Sequence, residues 1–306
     1  VSDVNVKLAI VTVTATQNRY IGLEASVAGA GLVGIDGLTL LVSGSVRFNS
    51  ATTEAGADLP NRIDWYAATQ SDNTTDGVLP AFSNQLTEEV QISVDGSAVV
   101  NAFDLIMVKV TTFGLDIATA DVTTGNPDLG TLPDASLFSI SMSGLNAFAG
   151  VGAELEDNGN PLDVAGYEIV DDGALGFSLN GGSIAMAIVK PAGLAPGNQT
   201  AYTGIEVGFE EASLVGIEGL KLVAGASVLV NKATGPTGLD ASERINWFIA
   251  TNSLNDPANL IPAFSEELTD AVTLQINGSA ALDAFSVVVG TASFSITVGE
   301  ETITTG

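Results

Sequence analysis

The chain of 306 residues contains no histidine and no cysteine. That excludes Ser-His-Asp and Cys-based nucleophile machinery, disulfides, haem ligation and the usual zinc sites together. Basic residues are scarce: 9 Lys+Arg stand against 36 Asp+Glu, a net charge of −27. Nucleic acid and anionic lipid surfaces both need cationic side chains, so neither is an expected partner. Long apolar runs are missing as well. Stretches such as Ala185–Val189 and Val287–Val289 fall far short of the roughly 18 residues of a spanning helix, so no membrane-spanning segment is expected. No signal-peptide pattern opens the chain. Its first residue, Val1, is not an initiator Met, and the expectation is a processed product or a piece of a longer protein.

What is present points to a folded, β-rich chain. Apolar residues make up 46% and charged residues 15%, too apolar a mixture for a disordered acidic tail. Lysine is rare while Asp, Thr, Ser, Gly and Asn are common. That composition suggests an extracellular or cell-surface bacterial protein.

An internal repeat organises the chain. Leu32-Val-Gly-Ile-Asp-Gly-Leu38 returns as Leu214-Val-Gly-Ile-Glu-Gly-Leu220, an offset of 214 − 32 = 182. The same offset carries Arg62-Ile-Asp-Trp65 onto Arg244-Ile-Asn-Trp247, and Leu79-Pro-Ala-Phe82 onto Ile261-Pro-Ala-Phe264. Further on it drops by one, since Phe113 matches Phe294. Residues 1–125 and 183–306 are therefore two copies of one unit, separated by 126–182. A fainter period of about 38 or 39 residues suggests a strand pair as the basic module.

The local pattern is strand. In Leu38–Phe48 the even positions Leu38, Leu40, Val42, Val46 and Phe48 are apolar, and the odd ones include Thr39, Ser43, Ser45 and Arg47. Such alternation marks a strand with one buried face. Asp95-Gly96 and Asn277-Gly278 have the chemistry of tight hairpin turns. Short helices are expected only over 84–89 and 266–271. Stacked modules of this kind build an all-β, elongated repeat array, either β-solenoid-like or made of stacked β-sandwich layers. Two separate β-sandwich domains are the alternative.

Several residues invite a functional reading. Trp65 and Trp247 are sugar-stacking platforms or core anchors of their copies, with Arg62 and Arg244 recurring beside them. Asp72 and Asp76, and Glu154, Glu156, Asp157 and Asp163, fall in acidic turns that offer oxygen ligands to calcium or are simply solvated. The adjacent pairs Asp171-Asp172 and Glu210-Glu211 do not converge as a glycosidase acid and base, because strand neighbours point to opposite faces. No enzyme is expected. Asn73-Thr-Thr75, Asn198-Gln-Thr200 and Asn277-Gly-Ser279 match the N-glycosylation pattern. The runs Phe285–Val289 and Ala185–Val189 are apolar on both faces. A lipid-facing barrel wall would give such runs, but it calls for aromatic girdles, and 4 Tyr with 2 Trp are few for that.

The runs Leu-Val-Gly-Ile-(Asp/Glu)-Gly-Leu and Gly182-Ser-Ile-Ala-Met-Ala-Ile-Val-Lys190 resemble segments of giant acidic tandem-repeat proteins of bacterial cell surfaces, adhesin-like or matrix-forming. The resemblance implies a structural role and transfers no site residue. The expected function is a segment of a filament, fibre, sheath, surface layer or long adhesin, self-associating or continued by further copies. The alternative is a module that binds glycans or a cell-surface partner through loops 49–61, 70–88 and 232–243.

Overall fold

The computed structural model describes residues 1–32, 34–70, 77–193 and 197–300. The chain is all-β. Its strands are β1 (Ser2–Thr12), β2 (Arg19–Gly31), β3 (Leu38–Thr52), β4 (Val90–Ala102), β5 (Ile106–Thr123), β6 (Thr131–Val151), β7 (Glu154–Glu156), β8 (Glu168–Val170), β9 (Leu175–Lys190), β10 (Ala201–Val215), β11 (Leu220–Thr234), β12 (Val272–Ala284) and β13 (Val288–Gly299). Eleven of them form a single antiparallel sheet in chain order, and β7 and β8 pair separately. Among the described residues β1 and β13 are open edges, and the sheet does not close.

This differs from both expected architectures. A solenoid stacks its rungs in parallel, whereas every neighbour here is antiparallel. A sandwich needs a second large sheet, and among the described residues the only other sheet is the two-stranded one. The two repeat copies are consecutive stretches of one sheet, joined through β6.

Helix placement also differs. Residues 84–89 and 266–271 hold turns, and the single helical turns are α1 (Trp65–Ala68) and α2 (Trp247–Ala250). The cause is capping. The Asp64 carboxylate accepts from Ala67 N, and Asn246 Oδ1 accepts from Ile249 N, the side-chain cap that starts a helix. Asp95-Gly96 and Asn277-Gly278 lie inside β4 and β12 rather than at turns. Each glycine faces a phenylalanine: Gly96 pairs with Phe113 and Gly278 with Phe294. A Cβ on Gly278 would lie 2.5 Å from the Phe294 ring. The real turns are at Phe103-Asp104 and Phe285-Ser286, all four at positive φ.

The one-residue drop in the repeat offset has a structural counterpart. The β4–β5 register shifts between Gly96 and Ala98, while β12 and β13 run regularly through Gly278, Ser279 and Ala280. The missing residue is the bulge residue of β5, absent from β13.

Two long connections, 53–89 between β3 and β4 and 235–271 between β11 and β12, fold over one face of the sheet. The main core lies beneath them. It joins Trp65, Phe82, Leu86, Trp247, Phe264 and Leu268 of the connections to Ala118, Leu137, Val189 and Leu229 of the strands. At the opposite strand ends, the 152–174 connection covers Leu41, Val99, Met107 and Phe148.

Candidate functional surfaces

The face under the connections carries a polar row beside the core. Running across the sheet, Lys7, Glu24, Arg47, Ser93, Asp116 and Ser139 are register neighbours on it. The polar alternation of β3 read as solvent-facing therefore points inward. Arg47 and Asn49 are 6% and 2% exposed. The apolar positions of the same strand, which the alternation assigned to a buried face, lie on the side that no connection covers.

Each copy fastens its long connection to this face with the same bracket. Asn49 donates its Nδ2 to Ile63 O and Thr87 O, both at 2.8 Å, and its Oδ1 accepts from Trp65 Nε1 at 3.0 Å. Asn231 does the same with Ile245 O, Thr269 O and Trp247 Nε1. Each indole lies against a glycine, and a Cβ on Gly22 or Gly204 would stand 2.6 Å from its ring. Phe82 and Phe264 tilt against the indoles at centroid distances of 5.5 and 5.4 Å. Glu24 and Glu206 complete the fastening by accepting from Ser83 N and Ser265 N, each at 2.9 Å.

Trp65 and Trp247 are thus fully buried and have no free ring face to offer a sugar. Arg62 donates to Glu88 O and Glu89 O at 3.0 and 3.1 Å. Arg244 reaches Asp270 O and the Glu300 carboxylate, at 3.5 and 2.9 Å. Both tie the connection to the start of the following strand.

Between the two connections lies a cavity of about 360 Å³. Arg47, Asp95, Asp116, Ser139 and Ser141 line it from the sheet, and Asn84 and Asn259 from above. Arg47 is ion-paired with Asp95, which also accepts from Ser45 Oγ at 2.8 Å. The buried Arg47 Nε has no partner among the described residues. Sequence reasoning gave none of Arg47, Asp95 and Asp116 a site role: Arg47 fell on a strand face read as solvated, and Asp95 in a pair read as a hairpin turn.

The acidic turns gather no ligand set. Glu154 and Glu156 are exposed on β7, Asp157 accepts from Gly159 N at 2.7 Å, and Asp163 from Asn158 Nδ2 at 2.7 Å. No three acidic side chains come together for a metal among the described residues. Asp72 and Asp76 lie outside those residues.

Two carboxyls of the connections are held above their ordinary range. Asp256 is raised by burial, against the backbone donors of Ile261, Leu260 and Asn259. Glu89 is raised by burial and by the negative charges of Glu88 and Asp256. A carboxyl raised on folding favours the fold fully below its unfolded value, and the advantage fades as pH rises through its folded value. The melting temperature is therefore expected to rise on mild acidification from pH 7. Glu89→Gln should raise it at pH 7 and shrink the gain on acidification. Thermal melts across pH check both.

The uncovered face is the second surface. One register row crosses all eleven strands: Val6, Ala25, Val46, Val94, Leu115 and Ile140, then Met186, Ile205, Val230, Leu274 and Val298. Every member is apolar. The next row, from Val4 through Gly44, Phe113, Ile184 and Val228 to Ile296, is apolar throughout as well. Parts of these rows are open to solvent: Val4 is 62% exposed, Val6 62% and Ile296 51%. Charges on this side appear only past the band. Arg19, Lys190 and Lys232 are exposed and stand near the strand ends that carry the two long connections. No protein-family model, no curated protein and no solved structure matches the chain.

Proposed function

We propose that this chain is a structural segment of a larger β-wall at a bacterial cell surface, joined to neighbouring strands by continuation of its sheet. One observation carries the reading: both open edges are repeat equivalents of strands that are paired inside the sheet. By the offset, β13 is the second copy of β5, and β5 pairs with β6. The front of the chain matches in the same way, since Leu8–Val11 resembles Met186–Val189 of β9, which also pairs with β6. A β6-like strand therefore fits against either edge. Unpaired edge amides and carbonyls template such an addition.

The wall's stiffness comes from its long ladders and from the connections bracketed onto its inner face. The acidic connections keep that side hydrated. In the assembled wall, amide hydrogens of β1 and β13 are expected to exchange as slowly as those of β4. Hydrogen exchange read by mass spectrometry tests this, alongside electron microscopy for extended assemblies. Free exchange at both edges in a compact, inert monomer at high concentration overturns it.

A further inference from the structure

From the uncovered face we infer that the wall is a transmembrane one, its apolar band seated against the acyl chains of a lipid bilayer. The inference rests on the reading of the chain as part of a larger sheet, because a membrane wall has no open edges in hydrocarbon. That no helix here is long and apolar enough to cross a membrane has no bearing on strands.

Four features select lipid as the occupant. The outward face is apolar across all eleven strands, while the charged strand residues Lys7, Glu24, Arg47 and Asp116 turn inward beside the core, a distribution shared with strands that cross a bilayer. The band also has the right height. Ile106 to Ile117 on β5 and their partners Ala149 to Phe138 on β6 are its limits there, about 36 Å along the strand. At a strand tilt of about 40° that is about 28 Å, close to the about 25 Å of a transmembrane barrel's apolar band.

The strand ends are unequal. Connections 103–105, 216–219 and 285–287 are tight turns at one end, where 152–174 is the long exception, while the two longest, 53–89 and 235–271, lie at the other, a bias also found in walls with mostly tight turns on one side of the membrane and long loops on the other. Finally, the connections from β3 and β11 converge on the covered face, where both line the cavity over the middle strands and the second is held by Asn126 Nδ2 donating to Arg244 O and Ser139 Oγ to Leu260 O, so a curl toward them leaves the uncovered face outside. Sheets of this width curl. Two convex faces do not pack on each other over a large area, so a second copy is the poorer occupant. The Tyr and Trp girdles of other such walls are not on this face. Arg19 and Lys190 stand at its rim instead, with stems long enough to lie along the band while their charges reach the headgroups, and Lys232 beside them pairs with Asp240.

The absence of cysteine makes the test direct. Single-cysteine variants Ile140→Cys and Ser141→Cys, with Val228→Cys and Ser227→Cys as a second outward and inward pair in the second copy, are spin-labelled and mixed with phosphatidylcholine vesicles. Labels at 140 and 228 are expected to be several-fold more accessible to oxygen and several-fold less accessible to a nickel chelate than labels at 141 and 227. Equal nickel access on both faces with vesicles present overturns the inference. So does shielding of 140 and 228 in buffer without lipid, accompanied by spin–spin broadening, which would mean that a second copy covers the band. In either case protected edge amides would leave the continued-sheet reading standing, and only free edges would remove both.

Discussion

Replacing Trp247 by Ala is expected to destabilise the fold by about 3–5 kcal/mol, the usual cost of emptying a large buried aromatic site. The indole is fully buried between Gly204 and Phe264, and a glycine backbone cannot move in to fill the gap. The loss has two separable parts. Trp247→Phe keeps most of the ring but leaves Asn231 Oδ1 without its donor, which should cost about 1–3 kcal/mol. Asn231→Ala strips partners from Ile245 O, Thr269 O and the indole at once. It should come close to the Trp247→Ala effect and add little to it in the double variant, since the two residues act as one bracket. Urea midpoints of the three variants and the double give the cycle. Because 235–271 is fastened through this bracket, its amides should lose protection before those of β10 and β11.

Ile140→Arg is the second large effect, and its size depends on what surrounds the band. Ile140 is in the row of apolar residues that crosses all eleven strands, between Leu115 and Met186. On a sheet face bathed in water, such a change usually stays within about 0.5 kcal/mol. At the midplane of a bilayer, an Arg on the lipid face of a wall costs about 2–4 kcal/mol. Folding of the variant in phosphatidylcholine vesicles should show the larger figure. The rim change Lys190→Ala, two residues beyond Ile188, should cost far less.

Much of the fold was legible in the residues. The alternation in Leu38–Phe48 gave the strand, and the offset of 182 gave the equivalence of Trp65 with Trp247. What alternation does not encode is which side of a strand is covered. Leu40 and Val46 look like core under either arrangement. Only the placement of the 53–89 and 235–271 connections shows that Arg47 and Asn49 face in. The helices went astray because a single turn capped by Asp64 or Asn246 is too short to leave a periodicity. The Asp-Gly and Asn-Gly pairs misled because a glycine opposite a phenylalanine serves ring packing as readily as a turn. Asn49 and Asn231 carried a usable signal. Each follows an apolar residue near the end of its strand and recurs at the same offset as the tryptophan it holds. The candidate cavity left no such trace, since Arg47, Asp95 and Asp116 come together only through the ladder.

The repeat offset of 182 residues contains six strands of the sheet, β1 to β6, before the pattern begins again at β9. Neighbouring strands are spaced about 4.8 Å apart, so six of them add about 29 Å of breadth. Breadth therefore comes in fixed increments: each further copy of the unit would widen the sheet by this step and leave the strand length unchanged.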